Sequence, residues 1–148
     1  MTVPPLDTGT GYLPPGEHVV TWDEVVIAYG YNPHRRALLT GLRAAVDDLV
    51  TARCARVYLN GSFVTAKVTP GDFDLCFDPA GVDFGLLDPI ILATGRFRHI
   101  LQQAKYGGDL LPSSDIADLL GTTYVDFFQR DVTGTFKGIL ILNLGGHL

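Results

Sequence analysis

The chain has 148 residues, of which 47% are hydrophobic and 18% are charged. This composition excludes an intrinsically disordered chain, and the length predicts one domain with one core. The 11 basic and 16 acidic residues give a net charge of −5 at pH 7, which argues against broad electrostatic wrapping of nucleic acid. No apolar run approaches the roughly 20 residues of a membrane-spanning helix, so no membrane contact is expected.

The cysteine content and the N-terminal sequence predict a reduced, cytoplasmic protein. Cys54 and Cys76 are too few for a disulfide framework or a zinc site. Residues 1–20 contain two Pro-Pro pairs and several glycines, without the basic start and apolar stretch of a secretory signal. We therefore expect an extended N-terminal arm over residues 1–20 and a single domain over residues 21–148.

Two helices are predicted directly after the arm. Thr21 and Glu24 have the spacing of a capping box, and the helix that they begin is expected to end at Gly30. Asn32 followed by Pro33 predicts the start of a second helix, because proline at the first helical position loses no hydrogen bond. The leucines and valines that follow recur with a period of about 3.6 residues, so this helix is expected to bury one face.

The middle of the chain is predicted to contain two strands and two more helices. Short apolar runs at residues 57–59 and 73–77, bounded by turn residues, predict the strands. Helices are predicted over residues 95–105 and 115–120. In the first of these helices, four apolar residues share one face: Phe97, Ile100, Leu101 and Ala104.

The C-terminal part is predicted to form a β-hairpin. Its arms would be residues 123–129 and 136–144, joined by a turn over residues 131–134. Together with the preceding elements, this predicts an α+β fold in which helices flank a small mixed β-sheet.

Two aspartates separated by one residue indicate where the chemistry lies. Alternate side chains of a strand point to one face, so Asp72 and Asp74 project together while Phe73 points into the core. Adjacent carboxylates repel each other unless a cation lies between them. Mg²⁺ takes carboxylate oxygens and keeps positions open for phosphate oxygens. Upstream, Gly61-Ser62 at the end of a strand offers backbone N–H groups and a hydroxyl to a triphosphate.

A Gly-Ser pair followed after nine residues by Asp-Phe-Asp-Leu resembles the motif of the DNA polymerase beta-like nucleotidyltransferase superfamily. The motif covers residues 59–75, and the chain length is similar to that of the minimal nucleotidyltransferases of bacterial toxin–antitoxin and phage-defence operons. The resemblance implies a nucleotidyltransferase-like fold, a nucleoside triphosphate as substrate and two Mg²⁺ ions as cofactors.

The resemblance also implies metal ligands. Asp72 and Asp74 would hold the two ions together with a third carboxylate on a later strand. Asp126, a lone acid within the apolar run 124–128, is the best match for that third ligand, and it could also accept the proton of the acceptor hydroxyl. Asp109 is the alternative candidate.

The phosphate contacts follow from the same resemblance. Gly61 and Ser62 would bind the nucleotide phosphates. Minimal enzymes of this type often carry an arginine shortly after Gly-Ser, but this chain has Val64 and Thr65 there. Lys67 is the nearest basic residue, and we assign the additional phosphate contact to it.

The function that this resemblance implies is transfer of a nucleoside monophosphate to a protein side chain or to the 3′ end of an RNA such as tRNA. The partner would be a cognate toxin or antitoxin protein. One alternative is a catalytically silent module of the same fold, an antitoxin or regulatory subunit that binds nucleotide or a toxin. A second alternative is a phosphotransferase or hydrolase with one metal ion. The absence of a P-loop Gly-Lys-Ser/Thr sequence argues against it.

Overall fold

The computed structural model describes residues 2–145. Residue 1 and residues 146–148, which the sequence assigns to the arm and to the domain, lie outside this part. The described residues form five strands and four helices, in the order β1 Glu17–Val19, α1 Trp22–Tyr29, α2 Pro33–Thr51, β2 Arg56–Asn60, β3 Phe73–Phe77, α3 Arg96–Tyr106, β4 Gly108–Pro112, α4 Tyr124–Phe127 and β5 Ile139–Asn143.

The five strands form one mixed sheet in the order β1-β5-β2-β3-β4. β2 is antiparallel to both of its neighbours, whereas the outer pairs β1–β5 and β3–β4 are parallel. A mixed sheet combined with helices confirms the predicted α+β class. Because β3 and β4 are parallel neighbours, the chain between them must cross over, and α3 lies in that crossover.

The core lies on one face of the sheet. Alternate residues of the central strands, such as Val57, Leu59 and Leu75, pack with the apolar residues of α1 and α2. The intervening strand residues, Asp74 among them, project from the opposite face. The strand alternation therefore separates an apolar core from a second face that carries polar groups.

The two helices predicted after the arm are confirmed. The Thr21 hydroxyl accepts from the backbone N–H of Glu24, and the Glu24 side chain accepts from the backbone N–H of Thr21, which completes the capping box. Pro33 is the first residue of α2, and the Asn32 side chain caps that helix.

The prediction of a helix near residues 95–105 is confirmed by α3, but its apolar face is solvent-exposed. Phe97 and Ile100 are each 61% exposed, whereas Gln102 and Tyr106 are buried. Gln102 is held inside because its side-chain oxygen accepts a 2.8 Å hydrogen bond from the backbone N–H of Leu110 in β4. Hydrogen bonding to the sheet, rather than apolar periodicity, therefore sets the orientation of α3.

Two predictions for the C-terminal part are wrong. Residues 115–120 form bends, a turn and an isolated β-bridge at Ile116 instead of a helix. Residues 124–127 form the short helix α4 instead of a strand. The second hairpin arm is confirmed as β5, and a turn follows Asp131, whose backbone oxygen accepts from Gly134 N–H. A strand at residues 123–129 could not pair with β5, because β1 and β2 already occupy both edges of β5.

The segment predicted as an extended arm is attached to the sheet and the core. Residues 17–19 form β1, and Leu13 is buried in the core cluster. The Tyr12 hydroxyl donates a 2.9 Å hydrogen bond to the Asp131 carboxylate, and Ala66 N–H donates to the Gly11 carbonyl.

Among the described residues, no helix combines the length and the apolar character needed to cross a lipid bilayer.

Close packing of α2 against α3 depends on a glycine. A Cβ at Gly41 would lie 1.8 Å from the backbone oxygen of Tyr106, so any side chain there forces the helices apart. We expect Gly41→Ala to lower the free energy of unfolding by about 1–3 kcal/mol, measured by urea denaturation. The matched control is Thr40→Ala on the exposed side of the same helix. An equal effect of both substitutions would contradict the close approach.

Candidate functional site

Polar side chains of three adjacent strands lie in one row across the sheet. Asn60, the last residue of β2, pairs with Asp74 in β3, and Asp74 pairs with Asp109 in β4. Directly paired residues of neighbouring strands share a face. Asp72 lies two residues before Asp74 and therefore projects to the same side. The strand register thus gathers these four residues on the face opposite the core.

Three of these side chains form a carboxylate cluster. Oxygen atoms of Asp72, Asp74 and Asp109, all half-buried, lie within 4.8 Å of one another. Three convergent carboxylates are the donor set of a hard divalent cation such as Mg²⁺ or Mn²⁺. Among residues 2–145, this is the one group of three or more His, Cys, Asp or Glu side chains whose ligand atoms are close enough together to hold a metal ion.

The electrostatics of the cluster are unfavourable in the absence of a cation. Burial raises the pKa of Asp74 from its ordinary value of 3.8 to about 7, and the negative charges of Asp72 and Asp109 act in the same direction. Lys137 and His99 act on the pKa of Asp74 in the opposite direction, to a smaller extent. A divalent cation would offset the repulsion that the protein alone leaves in place.

Helix α3 orients two of the three carboxylates. Gln103 Nε2 donates a 2.8 Å hydrogen bond to Asp72, and His99 Nδ1 lies 2.9 Å from Asp109 Oδ1. The Arg98 guanidinium is 3.6 Å from the same oxygen. Residues four apart lie on one side of a helix, so His99 and Gln103 reach neighbouring carboxylates from a single helical face.

The Gly61-Ser62 turn lies directly against the cluster. Gly61 has a φ of 76°, and a Cβ at this position would lie 2.1 Å from a carboxylate oxygen of Asp74. Only glycine allows the backbone to approach so closely in this conformation. Ser62 then begins a 3-10 turn over residues 62–64, and its hydroxyl makes no hydrogen bond within residues 2–145. The turn therefore brings the Gly61 backbone against the Asp74 carboxylate, and Ser62 is the next residue of the chain.

The loop after Gly61-Ser62 is held by a buried arginine. Arg35, in the first turn of α2, donates to the backbone carbonyls of Phe63 at 2.7 Å and Thr65 at 3.0 Å, and also to that of Lys67. It is fully buried, and its guanidinium lies 4.9 Å from the ring centroid of Tyr31. Arg35 thereby fixes the loop that connects the Gly-Ser turn to Asp72.

A cleft of about 1240 Å³ opens beside the cluster. Gly61 and Asp74 line this cleft, and residues of the chain between α4 and β5 contribute much of the remaining lining. Its lining combines acidic, basic and aromatic side chains, including Tyr12, Asp118, Asp126, Phe127, Phe128, Arg130, Asp131 and Lys137. This composition provides both apolar and charged contacts next to the carboxylates.

Two sequence-predicted site residues lie apart from the cluster. Asp126 lines the cleft, but the third carboxylate of the cluster is Asp109. The reason is that residues 124–127 form a helix, whereas Asp109 is on a strand paired with β3. Lys67 is exposed, its backbone is bound to Arg35, and its side chain is not part of the cleft lining.

Sequence reasoning missed several residues of this site. Asn60 could have been found as the residue that ends β2 directly before Gly-Ser. His99 and Gln103 have the i, i+4 spacing of one helical face, but their relation to Asp72 and Asp109 depends on the crossover between β3 and β4. Lys137 precedes β5, and its proximity to the cluster follows only from the order of the strands in the sheet.

Comparison with known proteins assigns the chain to a family. Residues 4–143 match DUF6932, a family of unknown function. The chain belongs to this family. The matched region includes the whole sheet, the three clustered aspartates and the Gly61-Ser62 turn. No curated protein and no solved structure matches the chain significantly.

The raised pKa of Asp74 predicts a pH-dependent stability of the cation-free protein. Below pH 3.8 the Asp74 carboxyl is mostly protonated in both the folded and the unfolded state. Its titration therefore does not change the free energy of unfolding in this range. Between about pH 4 and 7 the unfolded chain releases this proton while the folded chain retains it, so the free energy of unfolding falls as pH rises.

We therefore expect Asp74→Asn to become more stable than the wild type as the pH increases from 4 to 7, by an amount on the order of 3 kcal/mol at pH 7. The measurement is urea denaturation of both proteins in a chelating buffer across this range. A difference between the two proteins that is independent of pH would show that Asp74 titrates normally.

The hydrogen bonds of Arg35 predict a local effect on the loop. Arg35→Met leaves three carbonyl oxygens without this donor, and we expect the free energy of unfolding to fall by about 2–4 kcal/mol. Amide hydrogen exchange at residues 62–68 should accelerate. Arg36→Met, which changes the exposed neighbour on α2, is the control and should change neither measurement substantially. Unchanged exchange in Arg35→Met would mean that the loop does not need this contact.

Proposed function

We propose that this protein is a metal-dependent nucleotidyltransferase that moves a nucleoside monophosphate from a nucleoside triphosphate to an acceptor hydroxyl, with release of pyrophosphate and of the hydroxyl proton. The observation that supports this best is the cluster of Asp72, Asp74 and Asp109 within 4.8 Å, directly beside the Gly61-Ser62 turn. The residues are those of the motif that resembles the nucleotidyltransferase superfamily, with Asp109 as the third carboxylate.

The donor set fits divalent cations. Besides the three carboxylates, the buried side-chain oxygen of Asn60 accepts no hydrogen bond from the described residues, although Asn60 pairs directly with Asp74. Carboxylate and amide oxygens are ligands of Mg²⁺. Bound Mg²⁺, two ions in the proposed enzyme, would stabilise the charge on the attacking and leaving oxygens of the transfer.

The residues of the chain would bind and orient the reactants. Gly61 and Ser62 would donate hydrogen bonds to phosphate oxygens, as donors in such a turn do. His99 and Gln103 hold Asp109 and Asp72 in fixed orientations, which is the usual role of hydrogen-bond partners around a metal site. The aromatic part of the cleft would offer an apolar surface to the nucleobase.

The acceptor is expected to be a protein side chain or the 3′ end of an RNA such as tRNA. Ligand pockets usually measure about 300–1,000 Å³, so the cleft of about 1240 Å³ has room for part of an acceptor beside the nucleotide. By the resemblance, the biological setting would be a cytoplasmic toxin–antitoxin or defence pair, with the cognate protein as partner.

Substitution of the clustered carboxylates tests the activity. We expect Asp72→Asn, Asp74→Asn and Asp109→Asn each to reduce transfer of label from an α-labelled nucleoside triphosphate to background. Each variant removes one negatively charged oxygen ligand from the set. The assay measures incorporation into bulk tRNA and into the protein encoded by the neighbouring gene, with Mg²⁺ and with chelator. Asp47→Asn, on the exposed side of α2, is the charge-matched control.

The outcomes separate the alternatives. Loss of transfer in Asp126→Asn together with full activity in Asp109→Asn would return the third-ligand role to Asp126. Mg²⁺-dependent nucleotide binding by calorimetry, without transfer to either acceptor, would favour the catalytically silent binding module. No Mg²⁺-dependent nucleotide binding by the wild type would contradict the proposal.

A further inference from the structure

We propose that Lys137 binds the outer phosphates of the triphosphate in this cleft. The inference rests on the proposed function and adds to it the side chain that recognises the polyphosphate. Lys137 lies far along the chain from the Asp72-Phe73-Asp74 motif, with α3, β4 and α4 between them. The folding of the chain, rather than proximity in the sequence, therefore brings Lys137 to the cleft.

The strand register places Lys137 at the edge of the sheet that carries the site. Leu59 in β2 pairs with Leu140 in β5 in antiparallel register, so the residues that precede β5 lie beside the Gly61-Ser62 turn that follows β2. Ile139 belongs to the face opposite the core, since Leu140 lies in the core cluster. By alternation, Lys137 is on the face that also carries Asp74.

The surroundings of the Lys137 ammonium leave it available to an anion. Lys137 lines the same cleft as Gly61 and Asp74. Its Nζ lies 5.8 Å from the ring centroid of Tyr12, a contact that positions the side chain without neutralising its charge. Within residues 2–145, no carboxylate lies within ion-pair distance of Lys137.

A polyphosphate bound in this cleft requires a positively charged side chain from the protein. The cleft is lined by two basic side chains, Lys137 and Arg130, among the described residues. The Arg130 guanidinium lies 4.5 Å from the ring centroid of Phe136. A polyphosphate beside three carboxylates needs positive charge from the protein in addition to its metal ions.

Calorimetric binding of three Mg²⁺-bound probes tests the inference: ATP, tripolyphosphate and AMP. We expect Lys137→Met to weaken binding of ATP and tripolyphosphate roughly ten- to a hundredfold, because a charge-assisted hydrogen bond is lost. Binding of AMP should stay within about twofold, because AMP lacks the outer phosphates. Lys137→Arg, which retains the positive charge, should recover most of the affinity for ATP.

Lys105→Met is the matched control, since it removes one positive charge from α3, where Lys105 forms an ion pair with Asp88. Its ATP affinity should equal that of the wild type. Thermal denaturation of each variant shows whether it is folded, and Lys137→Gln, which also removes the positive charge, provides the test if Lys137→Met does not fold.

The results distinguish this inference from the proposed function. ATP binding by the wild type together with unchanged affinity in Lys137→Met overturns the role of Lys137 alone. An equal loss of AMP and ATP affinity also overturns it, because the lysine would then not act on the outer phosphates. A loss in Lys67→Met with none in Lys137→Met assigns the contact to the loop residue instead. Absence of ATP and tripolyphosphate binding in the wild type overturns the proposed function and this inference together.

Discussion

The mutual repulsion of three carboxylates at one edge of the sheet is the constraint on which the site depends. Oxygen atoms of Asp72, Asp74 and Asp109 are brought within 4.8 Å of one another by strand pairing, and burial adds to the cost of the Asp74 charge. The fold accommodates this in two ways: hydrogen bonds from α3 reach Asp72 and Asp109, and Asp74 has a pKa raised to about 7. This arrangement of three carboxylates is the basis of the proposed divalent-cation site.

The elements around the cluster are specialised for holding it. Helix α3 exposes Phe97 and Ile100 and buries Gln102 against β4, which differs from the usual burial of the apolar face of an amphipathic helix. At the start of α2, Arg35 uses its buried guanidinium to bind the loop between Gly61 and Asp72. These contacts stabilise a loop that has no regular secondary structure beyond one 3-10 turn.

Local signals predicted the elements that local interactions stabilise. The capping box at Thr21, the proline at the start of α2 and the apolar run of β3 each depend on residues close in sequence, and each is confirmed. The error at residues 124–128 has a different origin. An apolar run forms a strand only if a sheet edge is free to pair with it, and the edges of β5 are occupied by β1 and β2.

Residue spacing was sufficient to establish the α+β class, the alternation that places Asp72 and Asp74 on one face, and the Gly-Ser turn before them. These features extend over a few residues each, where backbone geometry sets the direction of side chains. The folded chain was needed to show that Asp109 joins the pair, that α3 binds their oxygens and that Lys137 enters the cleft. Those relations depend on strand order and on hydrogen bonds between segments far apart in the chain, which no local pattern encodes.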